Sequence, residues 1–475
     1  MRRVVLVDPL AVIDGRKALF LRDNFGGEVP LSCPYPPLEL AFTASVLRDA
    51  GVPVELIAAN VLGIHHDALA KRLAADPPQM VVVPSAWGSL LDDFRLLSIL
   101  RAALPDTRLV IYGPNITADP GRVLRDSVAD LVILGEPEES ALRLGEGWAL
   151  GDVPNIAYLE NDKIIITDRR PPPDWASYPL PARDLLDLSL YTIPFSRRLP
   201  STTIATVRGC IKNCTFCPTQ IWNTREVRAR PVELVLEEID ELVGRYGMKE
   251  IVFRDDTFTW DRQRVIDICM GMIARGYDLT WRVFATVDTV DTDLLNLMAT
   301  AGCVQICYGF ESGDDQVLRK TGKGTTVAQG HDAVRATKAA GIEISGTFIV
   351  GLEGDTPETI QKSIDFAKHS DLDYVQVNVA VPMPTTGFGK RHKRQGLESN
   401  PDAFRWSGAE TGETKDVAAD ALPNHARRFY REFYLRPQYI ARRLVSRRGL
   451  KSLMSHASLG AKMALYTAEP YLPWK

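Results

Sequence analysis

The 475-residue chain lacks an uninterrupted apolar run long enough to span a bilayer, which excludes an ordinary transmembrane helix. An excess of one charge is missing too. A net charge of −4 gives the whole molecule no general attraction to nucleic acid or to a lipid surface. Cysteine is sparse: Cys33, Cys210, Cys214, Cys217, Cys269, Cys303 and Cys307 are odd in number and mostly follow no framework. That excludes a secreted disulfide scaffold and fits a reducing cytoplasm. The N-terminus begins like a signal peptide, but Asp8 and Pro9 break the apolar run Val4 to Val7, so a first strand is expected there. No Ser/His/Asp or paired acid–base constellation appears, and no Gly-x-Gly-x-x-Gly follows the first strand, which disfavours a dinucleotide.

What is present is alternation. Over residues 1–150, short apolar strands at 4–7, 54–58, 80–83, 109–112 and 131–134 alternate with amphipathic helices at 37–50, 66–75 and 90–103. This pattern predicts a doubly wound parallel sheet, whose ligands bind at the carboxyl ends of the strands. Residues 151–195 are rich in proline and predict a hairpin (153–158 and 163–167) followed by a linker. From 196 to 400 six further strand–helix repeats predict a partial barrel with its site at the carboxyl strand ends. Residues 401–475 form a mainly helical tail. From Ala421 onward it carries eleven Lys and Arg against two Asp and Glu. Its Arg427–Pro437 stretch mixes arginine and aromatic residues at helical spacing. That composition suits an anionic or amphipathic substrate or a peripheral membrane contact, with a basic face packed on an acidic body as the plainer reading.

Three cysteines depart from the general scatter. Cys210, Cys214 and Cys217 stand in a C-x3-C-x2-C spacing within one loop, with no fourth cysteine or histidine nearby. Electron-transfer clusters use four cysteines and structural zinc closes four ligands. Three thiolates can hold three irons of a cluster and leave a fourth open to chemistry; three unrelated thiols is the alternative. Cys269, Cys303 and Cys307 fall on predicted elements and read as buried structural thiols.

With Phe216 as its aromatic, this loop resembles that of radical SAM enzymes. The resemblance implies a 4Fe–4S cluster on Cys210, Cys214 and Cys217, with S-adenosyl-L-methionine (SAM) on the open iron. It implies SAM contacts from Phe216 and from Asp255 or Asp256 at the second barrel strand, leaving open which carboxylate acts. Glu311 and Ser312 in Gly309-Phe310-Glu311-Ser312-Gly313 are implied to take the ribose or methionine end, and Ile349 and Gly351 on the fifth strand the adenine. The first 150 residues resemble the cobalamin-binding Rossmann-like domain that precedes many of these enzymes. The matches are Pro36-Pro37-Leu38, Gly113-Pro114-Asn115-Ile116-Thr117 and Gly135-Glu136-Pro137-Glu138. The implied cobalamin contacts are Pro9, Ser85, Trp87, Gly88, Gly113, Asn115, Thr117, Gly135 and Glu136. The family's Asp-x-His-x-x-Gly motif is absent, so Trp87 is the candidate to face cobalt without ligating it. No catalytic side chain beyond cofactor ligands is expected.

The resemblance therefore implies a cytoplasmic methyltransferase using a 4Fe–4S cluster, SAM and cobalamin. It would act on an unactivated carbon or phosphorus of a small biosynthetic intermediate, with a reductant such as flavodoxin or ferredoxin and no nucleic acid. Oxidative cyclisation or rearrangement on the same architecture is the rival within enzymes. A non-catalytic metal-binding scaffold is the rival outside them.

Overall fold

A computed structural model describes residues 3–13, 16–18, 20–21, 27–28, 35–193, 196–219, 226–383, 385–394, 417–418 and 421–445. Among them are two open parallel sheets. In the first, β1 (Val4–Val7), β2 (Val54–Ile57), β3 (Met80–Pro84), β4 (Arg108–Tyr112) and β5 (Leu131–Ile133) run parallel in the order β5-β4-β3-β1-β2. Both faces are covered by helices, so the strands are mainly apolar; β1 is buried at all four positions. Because β2 lies on one side of β1 and β3 on the other, the strand order reverses there. That reversal opens a crevice at the carboxyl edge.

The hairpin expected in the linker belongs instead to this sheet. β6 (Ile156–Glu160) pairs antiparallel with β5, Ile156 opposite Ile133 and Tyr158 opposite Leu131, and β7 (Lys163–Ile166) lies outside it. Buried Ile156 and Ala157 extend the two cores that flank the sheet. The Pro-rich segment after it is packed as well: Trp175, Arg183 and Tyr191 are buried.

The second sheet is the partial barrel. Its strands are β8 (Ser201–Ile204), β11 (Glu250–Phe253), β12 (Thr280–Ala285), β13 (Cys303–Glu311), β14 (Glu343–Val350) and β15 (Tyr374–Val379), parallel and in that order. β8 ends at Ile204. Asp255 takes the N–H groups of Thr206 and Val207 out of the ladder, and β9 (Val207–Arg208) turns away to pair with β10 (Arg228–Ala229). Capping fixes the connecting helices. Asp261, Asp291 and Thr356 each accept a backbone N–H at the start of Arg262–Arg275, Thr292–Thr300 and Pro357–His369.

Strand register stacks the lumen side chains in layers. Arg282, Gln305 and Glu343 are level at the bottom; Phe284, Cys307, Ser345 and Tyr374 come next; Thr347 and Gln376 lie above, then Ile349 and Asn378. Ion pairs close the floor, Arg282 with Glu250 at 3.1 Å and Arg197 with Glu343 at 2.6 Å. The last strand is covered by the helix Leu422–Tyr434. Its Tyr430 hydroxyl accepts from Val377 N at 2.8 Å, and its Tyr434 hydroxyl accepts from Val375 N at 3.0 Å. The aromatics of this basic helix therefore pack inward, with Phe429 and Phe433 fully buried. Glu432 pairs with Lys368 at 3.1 Å, and Arg442 pairs with Asp371. In the first pair the acid is on the helix, and Arg442 stands on the next helix, Pro437–Val445; residues 446–475 lie outside the described residues. Among the described residues no helix is long and apolar enough to cross a membrane.

Candidate functional site

The cysteine loop begins at a forced turn. Gly209 has φ +91°, and a Cβ there would lie 2.3 Å from the Glu226 carbonyl oxygen. The loop is pinned from outside: Thr215 N–H donates to Thr321 O at 2.7 Å, and Phe388 N–H to Thr215 O at 2.8 Å. Cys210, Cys214 and Cys217 are all half-buried. Cys210 Sγ lies 3.5 Å from Thr257 Oγ1 and from Lys212 N, and Cys217 Sγ lies 3.2 Å from Thr219 Oγ1. Burial pushes the Cys214 thiol up to about 12 and the Cys217 thiol up to about 11. Thiols held that high are protonated at neutral pH unless a metal displaces the proton. Among the described residues no three His, Cys, Asp or Glu converge on a point suited to a single ion. A zinc site needs that convergence, whereas a four-iron cluster takes one thiolate per iron.

The adjacent carboxylates at the end of β11 have separate tasks. Asp255 is fully buried and accepts from Thr206 N and Thr206 Oγ1, both at 2.6 Å, and from Val207 N at 2.9 Å. Burial raises its pKa against those donors. It fixes the approach to the cysteine loop. Asp256 is half-buried, and its charge reaches Cys217.

At the end of β13 the register breaks between Gly309 and Glu311, and Glu311 takes φ +63°. This turn folds the Glu311 carboxylate back over Gly309. A Cβ on Gly309 would lie 2.5 Å from both Glu311 Oε1 and Lys323 Nζ. Lys323 is buried and pairs with Glu311 at 2.5 Å. Phe310 points to the other side, with ring centres 5.6 Å from Phe348 and 5.0 Å from Phe366. Ser312 is engaged within the fold: its hydroxyl accepts from Asp314 N at 3.2 Å and lies 3.4 Å from Ser363 Oγ. Phe216 and Ile349 pack against one apolar cluster that includes Leu352 and Phe388. Gly351, at φ +87°, donates to Asp355 Oδ2 at 2.9 Å, and a Cβ there would meet Leu422 at 2.8 Å.

On the first sheet the expected residues share the carboxyl edge. Pro9 follows β1; Ser85, Trp87 and Gly88 follow β3; Gly113, Asn115 and Thr117 follow β4; Gly135 and Glu136 follow β5. A Cβ on Gly113 would lie 2.2 Å from Ser85 O. Asn115 Nδ2 donates to Ser85 Oγ at 3.0 Å and Ala86 O at 2.9 Å, and Gly135 N–H donates to Thr117 Oγ1 at 2.9 Å. Among the described residues, Trp87 Nε1, Asn115 Oδ1 and Asn60 Oδ1, the last just after β2, are buried along this edge without a protein partner. The nearby His66 is committed elsewhere, its Nε2 lying 2.9 Å from Leu10 O and 3.5 Å from Asp92.

Glu136 is engaged within the protein. Its carboxylate pairs with Arg208 at 2.7 Å and also with Arg228, while Glu138 takes Arg208 at 2.5 Å. Arg208 stacks 4.4 Å above Trp175 and 5.6 Å from Phe42. Arg208, Arg228, Lys323 and Asn60 escaped the sequence reading, and Glu138 stood in a quoted motif without a role. Arg208 adjoins the cysteine motif and Lys323 follows the Gly309–Gly313 motif, but nothing local marks their partners.

The model of the radical SAM superfamily matches residues 204–367. An uncharacterized methyltransferase of Pyrococcus horikoshii is 29% identical over 444 residues, 91% of this chain and 95% of that one. The anaerobic magnesium-protoporphyrin IX monomethyl ester cyclase of Cereibacter sphaeroides is 26% identical over 446 residues, 87% of this chain and 70% of that one. Among solved structures, the cobalamin-dependent S-adenosylmethionine radical enzyme OxsB, with aqua-cobalamin and S-adenosylmethionine bound, superposes with a TM-score of 0.74 at 19% identity. That match covers 98% of this chain and 72% of OxsB. Residues 204–367 thus match the radical SAM superfamily, and the chain has the fold of the cobalamin-dependent radical SAM enzyme OxsB.

Proposed function

We propose that the chain is a cobalamin-dependent radical SAM methyltransferase acting on a small molecule. The observation that carries this reading is the Arg208 ion pair with Glu136 and Glu138, which ties the cysteine loop to the carboxyl edge of the first sheet. Two cofactor-binding edges are thereby held against one another. The first unit then includes the hairpin through Ile166, the Pro-rich segment joins the units, the barrel follows, and the basic helices close its last edge.

The donor sets fit the three groups. Cys210, Cys214 and Cys217 offer soft thiolates in a half-buried loop, suited to a 4Fe–4S cluster. Asp256 and Glu311 supply carboxylates for the amine and hydroxyls of SAM, with Phe216, Ile349 and Gly351 forming an apolar wall for its adenine. In this assignment Asp255 and Ser312 position the loops and do not touch SAM. The orphaned atoms of Asn60, Trp87 and Asn115 suit the amide-bearing rim of cobalamin, with Pro9, Ser85, Gly88, Gly113, Thr117 and Gly135 forming the cradle. When bound, these cofactors supply a hydrogen-abstracting adenosyl radical and a methyl group. The chain holds them in register, keeps water out through the packed interface, and presents Thr347, Gln376 and Asn378 to a substrate in the lumen. Electrons come from an external low-potential reductant.

The likeness to the cyclase supports a second reading, radical cyclisation without methyl transfer. One assay separates the two. Anaerobically reconstituted protein is given SAM, dithionite and candidate substrates. Methyl transfer yields a product heavier by one CH2, with both 5′-deoxyadenosine and S-adenosylhomocysteine. A product formed with 5′-deoxyadenosine but no S-adenosylhomocysteine overturns it in favour of cyclisation.

A further inference from the structure

We infer that Lys323 is a positioning residue that holds a fixed positive charge against the Cys214 side of the iron–sulfur cluster and raises the cluster's reduction potential. The inference rests on the reading of the cysteine loop as a cluster site. Its geometry is independent of that reading. The segment Thr321-Gly322-Lys323 is laced to the residues on both sides of Cys214: Thr321 O accepts from Thr215 N at 2.7 Å, and a Cβ on Gly322 would lie 2.9 Å from Asn213 O. Lys323 follows directly and is only 4% exposed. Gly309 leaves the space its ammonium occupies, since a Cβ there would lie 2.5 Å from Nζ.

A buried ammonium costs several kcal/mol in desolvation unless it is paired. Glu311 is its hydrogen-bonding carboxylate, at 2.5 Å. The Lys323 ammonium favours the Cys214 thiolate more than the Glu311 carboxylate disfavours it. A three-thiolate 4Fe–4S cluster gains one negative charge when it takes one electron. A nearby fixed cation favours the more negative state, and burial strengthens the effect. Lys323 also locks Glu311 in its left-handed conformation, so one side chain sets the charge at the cluster and the direction of the neighbouring carboxylate.

The test is a redox titration of the reconstituted full chain without SAM, with dithionite as titrant and the EPR signal of the reduced cluster as readout. Lys323→Met is expected to lower the ratio of reduced to oxidised cluster at a given potential about tenfold, a shift of roughly 59 mV for one electron. Lys323→Arg, which keeps the charge, is expected to stay near the wild type. Glu311→Gln, which leaves Lys323 uncompensated, is expected to shift the midpoint upward. If Lys323→Met assembles no cluster, the upward shift in Glu311→Gln carries the test. Equal midpoints in wild type and Lys323→Met, or a downward or absent shift in Glu311→Gln, overturn the inference and leave the cluster reading intact. Failure of the wild type to take up iron overturns that reading instead.

Discussion

Arg208 Nη1 sits 2.7 Å from Glu136 Oε2. The side chain two places before the first cysteine of the loop is thus paired to the turn after the last parallel strand of the other sheet. Its second arm takes Glu138, and its face lies on Trp175 from the Pro-rich segment. Three parts of the chain meet on one guanidinium.

Arg208→Met leaves two buried carboxylates without their shared cation. Loss of one partner of a buried ion pair costs about 3–5 kcal/mol. Denaturant melts should show a loss of that size. Adding Glu138→Gln should restore part of it, because that stranded charge is then gone, while Glu136 keeps its pair with Arg228. An unchanged midpoint for Arg208→Met would show that the pair does not hold the two sheets together.

Asp255 and Asp256 should separate by assay. Asp255→Ala strands three donors and should destabilise the fold by about 1–3 kcal/mol in denaturant melts. Asp256→Ala should leave stability near the wild type and weaken SAM binding, read by equilibrium dialysis, by about ten- to a hundredfold, the loss expected for a charge-assisted hydrogen bond. The opposite pattern would exchange the two roles.

Asp355 gives a pH test. Burial pushes its carboxyl up to about 6, against the N–H groups of Gly351 and Leu352 and the Thr359 hydroxyl. The folded value lies above the unfolded one, so the folded chain binds the extra proton. That stabilisation is fully present below the unfolded pKa and is lost as the pH rises through about 6. The stability of wild type relative to Asp355→Asn should therefore fall by roughly 2–3 kcal/mol between pH 4 and pH 6.5. A difference that stays constant with pH contradicts the assignment.

Tyr430 and Tyr434 cover the open edge of the barrel's last strand. Each Tyr→Phe substitution removes a hydroxyl that serves a strand N–H, and should cost about 1 kcal/mol in a denaturant melt. Larger losses would show that the helix Leu422–Tyr434 holds more than the edge.

Local chemistry made most of this architecture legible. Apolar runs such as Val4–Val7 and Met80–Val83 announced strands at close to their observed limits, and the spacing of Cys210, Cys214 and Cys217 announced the loop. Where the sequence reading failed, a distant partner decided. The Ile156–Glu160 hairpin could not be placed in the first sheet without knowing that Leu131–Ile133 had a free edge. Asp255 and Asp256 are neighbours of one type, and only the fold distinguishes a backbone cap from a side chain facing the loop. Glu136 stood in a motif that implied a ligand contact, while its partners Arg208 and Arg228 lie 72 and 92 residues away. Lys323 is held by a left-handed Glu311 that no propensity foretells.

The central claim is that two cofactor edges meet in one chain, and cofactor stoichiometry tests it without knowledge of the substrate. After anaerobic reconstitution with iron, sulfide and hydroxocobalamin and removal of unbound material, the account predicts about four irons and about one cobalamin per chain. The iron should be lost, and the cobalamin retained, when Cys210, Cys214 and Cys217 are all changed to Ala. A protein that retains neither, or that retains iron equally well without the three cysteines, would contradict it.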